Sequence, residues 1–251
     1  MDDGGVAAWS GRISTRFPAV FSRAALWCID RAAIRLIRRG VTANSITVAC
    51  AAVAAIAGVL LSQGCFGLAG PAMIVACLGD ALDGAVARRS ASASVGGALL
   101  DAAADRYGEF FFLAGLAVYF RGSVCALLLV LFALAGSYMV SYGSAKAEAL
   151  RLPVPSGPMR RAERALCLCA GVTLSSPLAW MTASSLLPSW APRVPTLSAI
   201  ALVAVVANVS AIRRLRSLAR IPRVVAAREG ASDRRSRKDE RTARSVASAP
   251  T

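Results

Sequence analysis

D-A-L-D-G-A-V-A-R at residues 80–88 and G-A-L-L-D-A-A-A-D at residues 97–105 place Asp80, Asp83, Asp101 and Asp105 inside stretches otherwise apolar enough for a bilayer. An ionised carboxylate left alone in hydrocarbon costs several kcal/mol, so these side chains must face a cation or a watery cavity. At about 100° per residue, Asp80, Asp83, Gly84, Ala87 and Arg88 share an arc of roughly 140°, and Gly97, Asp101 and Asp105 one of about 80°. Two sequential antiparallel helices can turn those faces toward each other. Four converging acids repel one another unless cations sit among them, so a chemical site is the first inference.

The surrounding chain fixes the class. Its 251 residues are 56% apolar, with a mean hydropathy of +0.57. No charged residue occurs at 41–79, 122–145, 165–192 or 194–212, and each run is long enough to cross a bilayer. The expectation is an all-α integral membrane protein. Six transmembrane helices fall at roughly 45–62, 69–89, 97–120, 123–146, 164–183 and 195–213.

Ahead of them, Leu26, Ile29, Ala33, Leu36 and Ile37 share one helical face, with Arg23, Asp30, Arg31, Arg35 and Arg38 largely elsewhere. That pattern predicts an N-terminal interfacial amphipathic helix. The expected organisation is therefore an interfacial segment at 1–40, a six-helix domain at 41–213 and a basic, disordered cytoplasmic tail at 214–251. The first 40 residues show no cleavable signal pattern. Trp9, Trp27, Trp180 and Trp190 read as interfacial anchors, and the seven cysteines as small core residues.

The net charge of +15 does not indicate nucleic acid, because of where the charges lie. Of 29 basic residues, seven precede residue 40, five lie at 146–164 and twelve follow residue 212, while Arg121 and Arg193 alone fall in predicted outside loops. The positive-inside rule then puts both termini and the acidic site on the cytoplasmic face of the cell membrane. The lipid bilayer is the implied partner of the basic tail. The cytoplasmic connection at 151–159, with Pro153, Pro155, Gly157 and Pro158, suits a substrate mouth.

Carboxylate oxygens in a chain without histidine favour Mg²⁺ or Mn²⁺, with acids enough for two ions. Such pairs clamp phosphoryl groups. Gly84, Ala87 and Gly97 leave room on the same faces, and Arg88 adds a cation for phosphate. A cation-binding transporter or channel would account for the intramembrane acids but not for the glycines and Arg88 at their spacing.

The pattern D-x-x-D-G-x-x-A-R-x8-G-x3-D-x3-D resembles the signature of the CDP-alcohol phosphatidyltransferase family, matched here at every fixed position. The resemblance implies transfer of a phosphatidyl group from a CDP-linked lipid, CDP-diacylglycerol, to an alcohol or polyol phosphate, with release of CMP. It implies that Asp80, Asp83, Asp101 and Asp105 hold the ions, with Asp105 also the general base. Gly84, Ala87, Arg88, Ser94 and Gly97 are similar to the family's CDP-lipid contacts. The V-T-A-N-S-I-T stretch is similar to a Pro-Asn-x-x-Thr segment, which adds Asn44, Ser45 and Thr47, although Ala43 stands in place of the proline.

S-Y-G-S-A-K-A-E at 141–148 is similar to the branch making phosphatidylinositol phosphate and phosphatidylglycerol phosphate. That likeness implies that Lys146, Arg160 and Arg164 bind the acceptor's phosphate, while Ser144 replaces a residue commonly basic in the inositol-phosphate enzymes. Family membership also implies a homodimer. Glu109, one turn after Asp105, is expected to be a structural partner of Arg106 or of another helix.

Overall fold

The computed structural model describes the backbone of residues 19–91, 94–150, 152–153 and 157–247, and side-chain environments within 27–220. Seven helices follow one another: α1 (Ala19–Arg38), α2 (Ala43–Ser62), α3 (Phe66–Arg89), α4 (Val95–Tyr119), α5 (Val124–Ala149), α6 (Arg161–Ala183) and α7 (Arg193–Ala247). Trp9 and Pro155, and the side chains of Arg23 and Leu26, lie outside the described residues.

The helix boundaries follow from the sequence. Glycine stops the first two helices: Gly40 (φ +74°) after α1 and Gly64 (φ +75°) after α2 adopt the left-handed conformation. At α1 the Val41 amide donates to the Leu36 carbonyl and the Gly40 amide to Ile37. At α2, Cys65 and Gly64 repeat the pattern on Leu60 and Leu61. Both are glycine-terminated C-caps that satisfy carbonyls otherwise left open. At the other end of α2, Thr42 caps the helix, its Oγ1 accepting from the Ser45 amide at 3.2 Å.

Among the described residues, five helices are long and apolar enough to cross a membrane: α2, α3, α5, α6 and Arg193–Arg220 of α7. The expected sixth, α4, has the length, with 25 residues, but Asp101, Asp105, Arg106 and Glu109 lie within it. Each such charge opposes insertion by about 2.5–3.5 kcal/mol at mid-span. Residues 214–247, expected as part of a disordered tail, continue α7 as helix to Ala247. Their Ala, Arg and Glu content favours that conformation. The tail's side chains beyond Arg220 lie outside the described residues.

The chain forms two compact units. The first comprises residues 1–53 and 75–107. Its core joins Ala33 of α1, Ile46 of α2, and Ala85 and Val86 of α3, with Ile29, Leu36 and Ile37 packed on them. The apolar face of α1 is therefore seated on protein, with Arg31, Arg35 and Arg38 exposed. Arg89 ties α1 down from the end of α3, its fork gripping Asp30 (Nε–Oδ1 2.7 Å).

The second unit comprises residues 54–74 and 108–251. Small residues let its helices approach closely, as expected where lipid supplies no hydrophobic drive between helices. A Cβ on Gly115 would fall on the Gly58 carbonyl, and one on Gly171 would stand 2.9 Å from the Pro195 carbonyl oxygen. α7 packs against α5 and α6. Asn208 of α7 donates to the Phe132 carbonyl of α5 at 2.8 Å.

Gly115→Val should lower stability by at least about 1–3 kcal/mol through overpacking against a backbone that cannot yield. Gly96→Ala, where a Cβ meets nothing within 4 Å, should leave the melting temperature in detergent unchanged. Equal melting temperatures for the two variants would disprove the close approach of α2 and α4.

Candidate functional site

The site begins at the end of α3 and the start of α4, both in the first unit. Asp80, Asp101 and Asp105 are each half-buried, and each offers a carboxylate oxygen within 4.8 Å of the others. The i, i+4 spacing of Asp101 and Asp105 puts both on one face of α4, and Asp80 reaches the same point from α3. This is the convergence the sequence pattern predicts, made by three of the four acids.

Asp83 is placed differently. It is 5% exposed, and its Oδ2 accepts a 2.6 Å hydrogen bond from Thr47 Oγ1. The same hydroxyl also lies 3.1 Å from the Ala43 carbonyl. Thr47 thus links the first turn of α2 to a buried carboxylate of α3. It orients an acid, where the sequence suggested a nucleotide contact, and the helix cap falls to Thr42.

The small residues keep the surroundings open. A Cβ on Gly97 would come within 3.3 Å of Asn44 Oδ1 and 3.2 Å of Ser94 Oγ, so three expected nucleotide-side residues are gathered at one point. Ser94 caps α4, its Oγ accepting from the Gly97 amide at 3.0 Å. Over Gly84 lies the Arg88 guanidinium, whose Nη1 would be 3.1 Å from a Cβ there. Ala87 is half-buried, while Asn44 and Ser45 are exposed.

An all-oxygen donor set of three convergent carboxylates fits a hard divalent cation such as Mg²⁺ or Mn²⁺. Asp80, Asp101 and Asp105 are the residues that would hold it.

The expected acceptor residues belong to the second unit. Lys146, in the last turn of α5, and Arg160, just ahead of α6, are exposed. Arg164 is 0% exposed and already occupied. Its Nε and Nη2 grip Glu109 at 2.6 and 2.9 Å, and its Nη1 donates to the Met159 carbonyl at 2.8 Å. Glu109 thus pairs with another helix, and Arg164, expected to bind a ligand, holds α4 and α6 together.

Sequence reasoning passed over Arg214, counted only among the basic residues after 212. It is 6% exposed. Nη1 donates to Ser144 Oγ at 2.9 Å and Nη2 to the Gly157 carbonyl at 3.3 Å, while Nε has no hydrogen-bond partner among the described residues. A buried guanidinium with an unmatched donor calls for an explanation that ordinary flanking charge does not need. The available signal was its position: Val203, Ala207, Ala211, Arg214 and Leu218 form one buried helical stripe, and an arginine interrupting such a stripe is unlike flanking charge.

Three successive carbonyls of the α5–α6 connection are held in this unit. Arg214 takes Gly157, Ser210 Oγ takes Pro158 at 2.8 Å and Arg164 takes Met159. The loop expected to form a substrate mouth is thereby pinned at its C-terminal end.

The sequence model of the family described as CDP-alcohol phosphatidyltransferase matches residues 40–212. The chain is 37% identical over 131 residues to the archaetidylinositol phosphate synthase of Methanothermobacter thermautotrophicus, covering 52% of this chain and 63% of that protein. It is 33% identical over 144 residues to the phosphatidylinositol phosphate synthase of Mycobacteroides abscessus, covering 56% and 66%. The aligned parts thus span just under two thirds of these relatives' length.

Among solved structures, the Mycobacterium tuberculosis phosphatidylinositol phosphate synthase with CDP-DAG bound superposes with a TM-score of 0.65 at 25% identity, covering 75% of this chain and 92% of that one. The same enzyme in complex with manganese and citrate gives a TM-score of 0.64 at 25% identity, covering 75% and 87%.

Glu109→Ala should destabilise the protein by about 3–5 kcal/mol, because it strands the Arg164 charge in a buried site. Glu109→Leu combined with Arg164→Met should recover much of that loss in thermal unfolding. A single variant as stable as the parent would show that the pair contributes nothing to the fold.

Proposed function

The chain belongs to the CDP-alcohol phosphatidyltransferase family, and from that premise we propose that it transfers a phosphatidyl group from CDP-diacylglycerol to a polyol phosphate, releasing CMP. The observation that carries this reading is the convergence of Asp80, Asp101 and Asp105, with oxygens within 4.8 Å of one another, beside the Gly84–Arg88 turn.

In this mechanism Asp80, Asp101 and Asp105, with Asp83 alongside, would hold two divalent ions, which would supply positive charge against the diphosphate and the departing CMP. Asp105 accepts the proton of the acceptor hydroxyl. The freed oxygen forms a bond to the phosphorus carrying the lipid, and the anhydride bond breaks with its electron pair leaving on CMP. Thr47 fixes the Asp83 carboxylate through the hydroxyl bond described above, so that acid needs no reorganisation when the donor arrives. Arg88, lying over Gly84, supplies a fixed cation for the donor's phosphates, and Asn44, Ser94 and Gly97 border the nucleotide.

For the acceptor we assign phosphate recognition to Lys146, Arg160 and the open Nε of Arg214, with Arg164 as a positioning residue that fixes Met159 and α6. Further support for a phosphorylated polyol comes from the two relatives named above, an archaetidylinositol phosphate synthase and a phosphatidylinositol phosphate synthase. In the same reading α4 completes six spans because its acids face the site, α1 lies at the membrane interface, and the basic clusters keep the site cytoplasmic.

Asp80→Asn and Asp105→Asn should each reduce Mg²⁺-dependent CMP release from CDP-diacylglycerol by at least about 10²-fold, and EDTA should abolish it in the parent. Full activity in Asp105→Asn would overturn the assignment. Arg214→Met should raise KM for the productive acceptor, screened among inositol 1-phosphate, glycerol 3-phosphate, inositol and serine, while leaving KM for CDP-diacylglycerol unchanged. If only an unphosphorylated alcohol is used, the phosphate-pocket assignment fails.

A further inference from the structure

The first unit contains a cavity of about 420 Å³ between α1 and α3, within the roughly 300–1,000 Å³ typical of small-molecule pockets. Its α3 wall carries Asp80, Gly84 and Arg88, a row at i, i+4 and i+8 that the mechanism above assigns to the metal and diphosphate end of the donor. From α1 come Trp27, Ile29 and Asp30, and Ala81 and Ala85 of α3 add apolar surface. The cavity thus sets apolar groups beside charged ones.

Trp27 is not packed as a core residue. It is 59% exposed, and its ring carries the Arg31 guanidinium 4.7 Å from the centroid. Its position is nonetheless fixed. The fork between Arg89 and Asp30 fastens α1 to α3 one residue beyond Arg88, and Asp30 itself borders the cavity. A tryptophan serving only as a membrane anchor has no need of a place on the rim of a cavity lined by a metal-site acid.

We propose that Trp27 is a donor-contact residue, its ring covering the glycerol-ester portion of a CDP-linked lipid whose diphosphate lies along Asp80, Gly84 and Arg88. The proposal rests on the reaction assigned above and extends it to α1, a helix outside the signature motif. An amphipathic aromatic ring at the level where a diphosphate joins acyl chains matches the chemistry of that junction, polar on one side and apolar on the other. The cytosine ring, at the far end of the diphosphate, would not reach Trp27.

The test measures binding and turnover separately, on the full chain in detergent with Mn²⁺. Dissociation constants for CDP-diacylglycerol and for water-soluble CDP are compared among the parent, Trp27→Ala and Trp27→Phe. Trp27→Ala should weaken CDP-diacylglycerol binding roughly tenfold, Trp27→Phe should restore most of it, and all three proteins should bind CDP equally. Lipid binding within twofold of the parent in Trp27→Ala would overturn the proposal, as would an equal loss of CDP binding, which would mark a nucleotide or structural role. A parent that binds CDP-diacylglycerol yet releases no CMP with any acceptor would defeat the proposed reaction while leaving the contact tested. A parent that turns over while Trp27→Ala keeps its lipid affinity would defeat the contact alone.

Discussion

The arrangement of the first unit depends on the mutual repulsion of Asp80, Asp101 and Asp105. With oxygens within 4.8 Å of one another and an effective dielectric near 20, ionised like charges repel by a few kcal/mol, which a cation would offset. On the proposed reading the cluster is a receptacle for divalent charge. It explains why α4 carries acids at the cost of its hydropathy. It explains why Asp83, the acid set apart from the cluster, is buried on a hydroxyl from Thr47. It also explains why the neighbouring positions are glycine: Gly84 and Gly97 let Arg88, Ser94 and Asn44 stand where a Cβ would press on them.

The second unit solves the opposite problem, that of burying guanidinium groups. Arg164 does so by conventional pairing, with both Glu109 oxygens and a carbonyl consuming its donors. Arg214 is held by a serine hydroxyl and a carbonyl, and its Nε has no hydrogen-bond partner among the described residues. Partial satisfaction of a buried cation is unfavourable in a resting protein and useful in one that binds an anion. The two arginines therefore differ in their surroundings: one fastens helices through an ion pair, and the other, on the proposed reading, serves the acceptor's phosphate.

Much of this was legible in the sequence because charge-free runs and punctuating glycines leave little freedom. The boundaries of α2 and α5 fall within about three residues of those expected, since Gly64 and the Arg121–Gly122 turn end the neighbouring helices. The acidic cluster was legible because the helical period of about 3.6 residues places Asp101 and Asp105 on one face. What stayed hidden was pairing across distant segments. Arg164 looks in sequence like any basic residue flanking a span, and only the fold brings Glu109, 55 residues away, to its guanidinium. Asn44 and Thr47 showed the reverse difficulty. The resemblance groups both with the CDP-lipid contacts, yet in the fold the Thr47 hydroxyl donates to Asp83. For α1 the amphipathic pattern was plain, but periodicity cannot distinguish a face laid on lipid from one seated on Ala85 and Val86.

Ser144 shows how a local substitution and a distant helix answer each other. In the inositol-phosphate branch that the sequence resembles, a basic residue is common at this position, and its replacement by serine looks like a lost contact. The structure gives the hydroxyl a role of its own, since it accepts from Arg214 Nη1 at 2.9 Å and bonds to the Val140 carbonyl at 3.2 Å. A cation at position 144 would face Arg214 with like charge and displace it. The serine therefore holds a guanidinium that α7 contributes, and on the proposed reading the acceptor's phosphate meets a planar, pre-oriented group where a flexible ammonium would otherwise stand. A fork fixed by two neutral partners loses little side-chain entropy on binding, so on that reading geometry rather than total charge selects the acceptor.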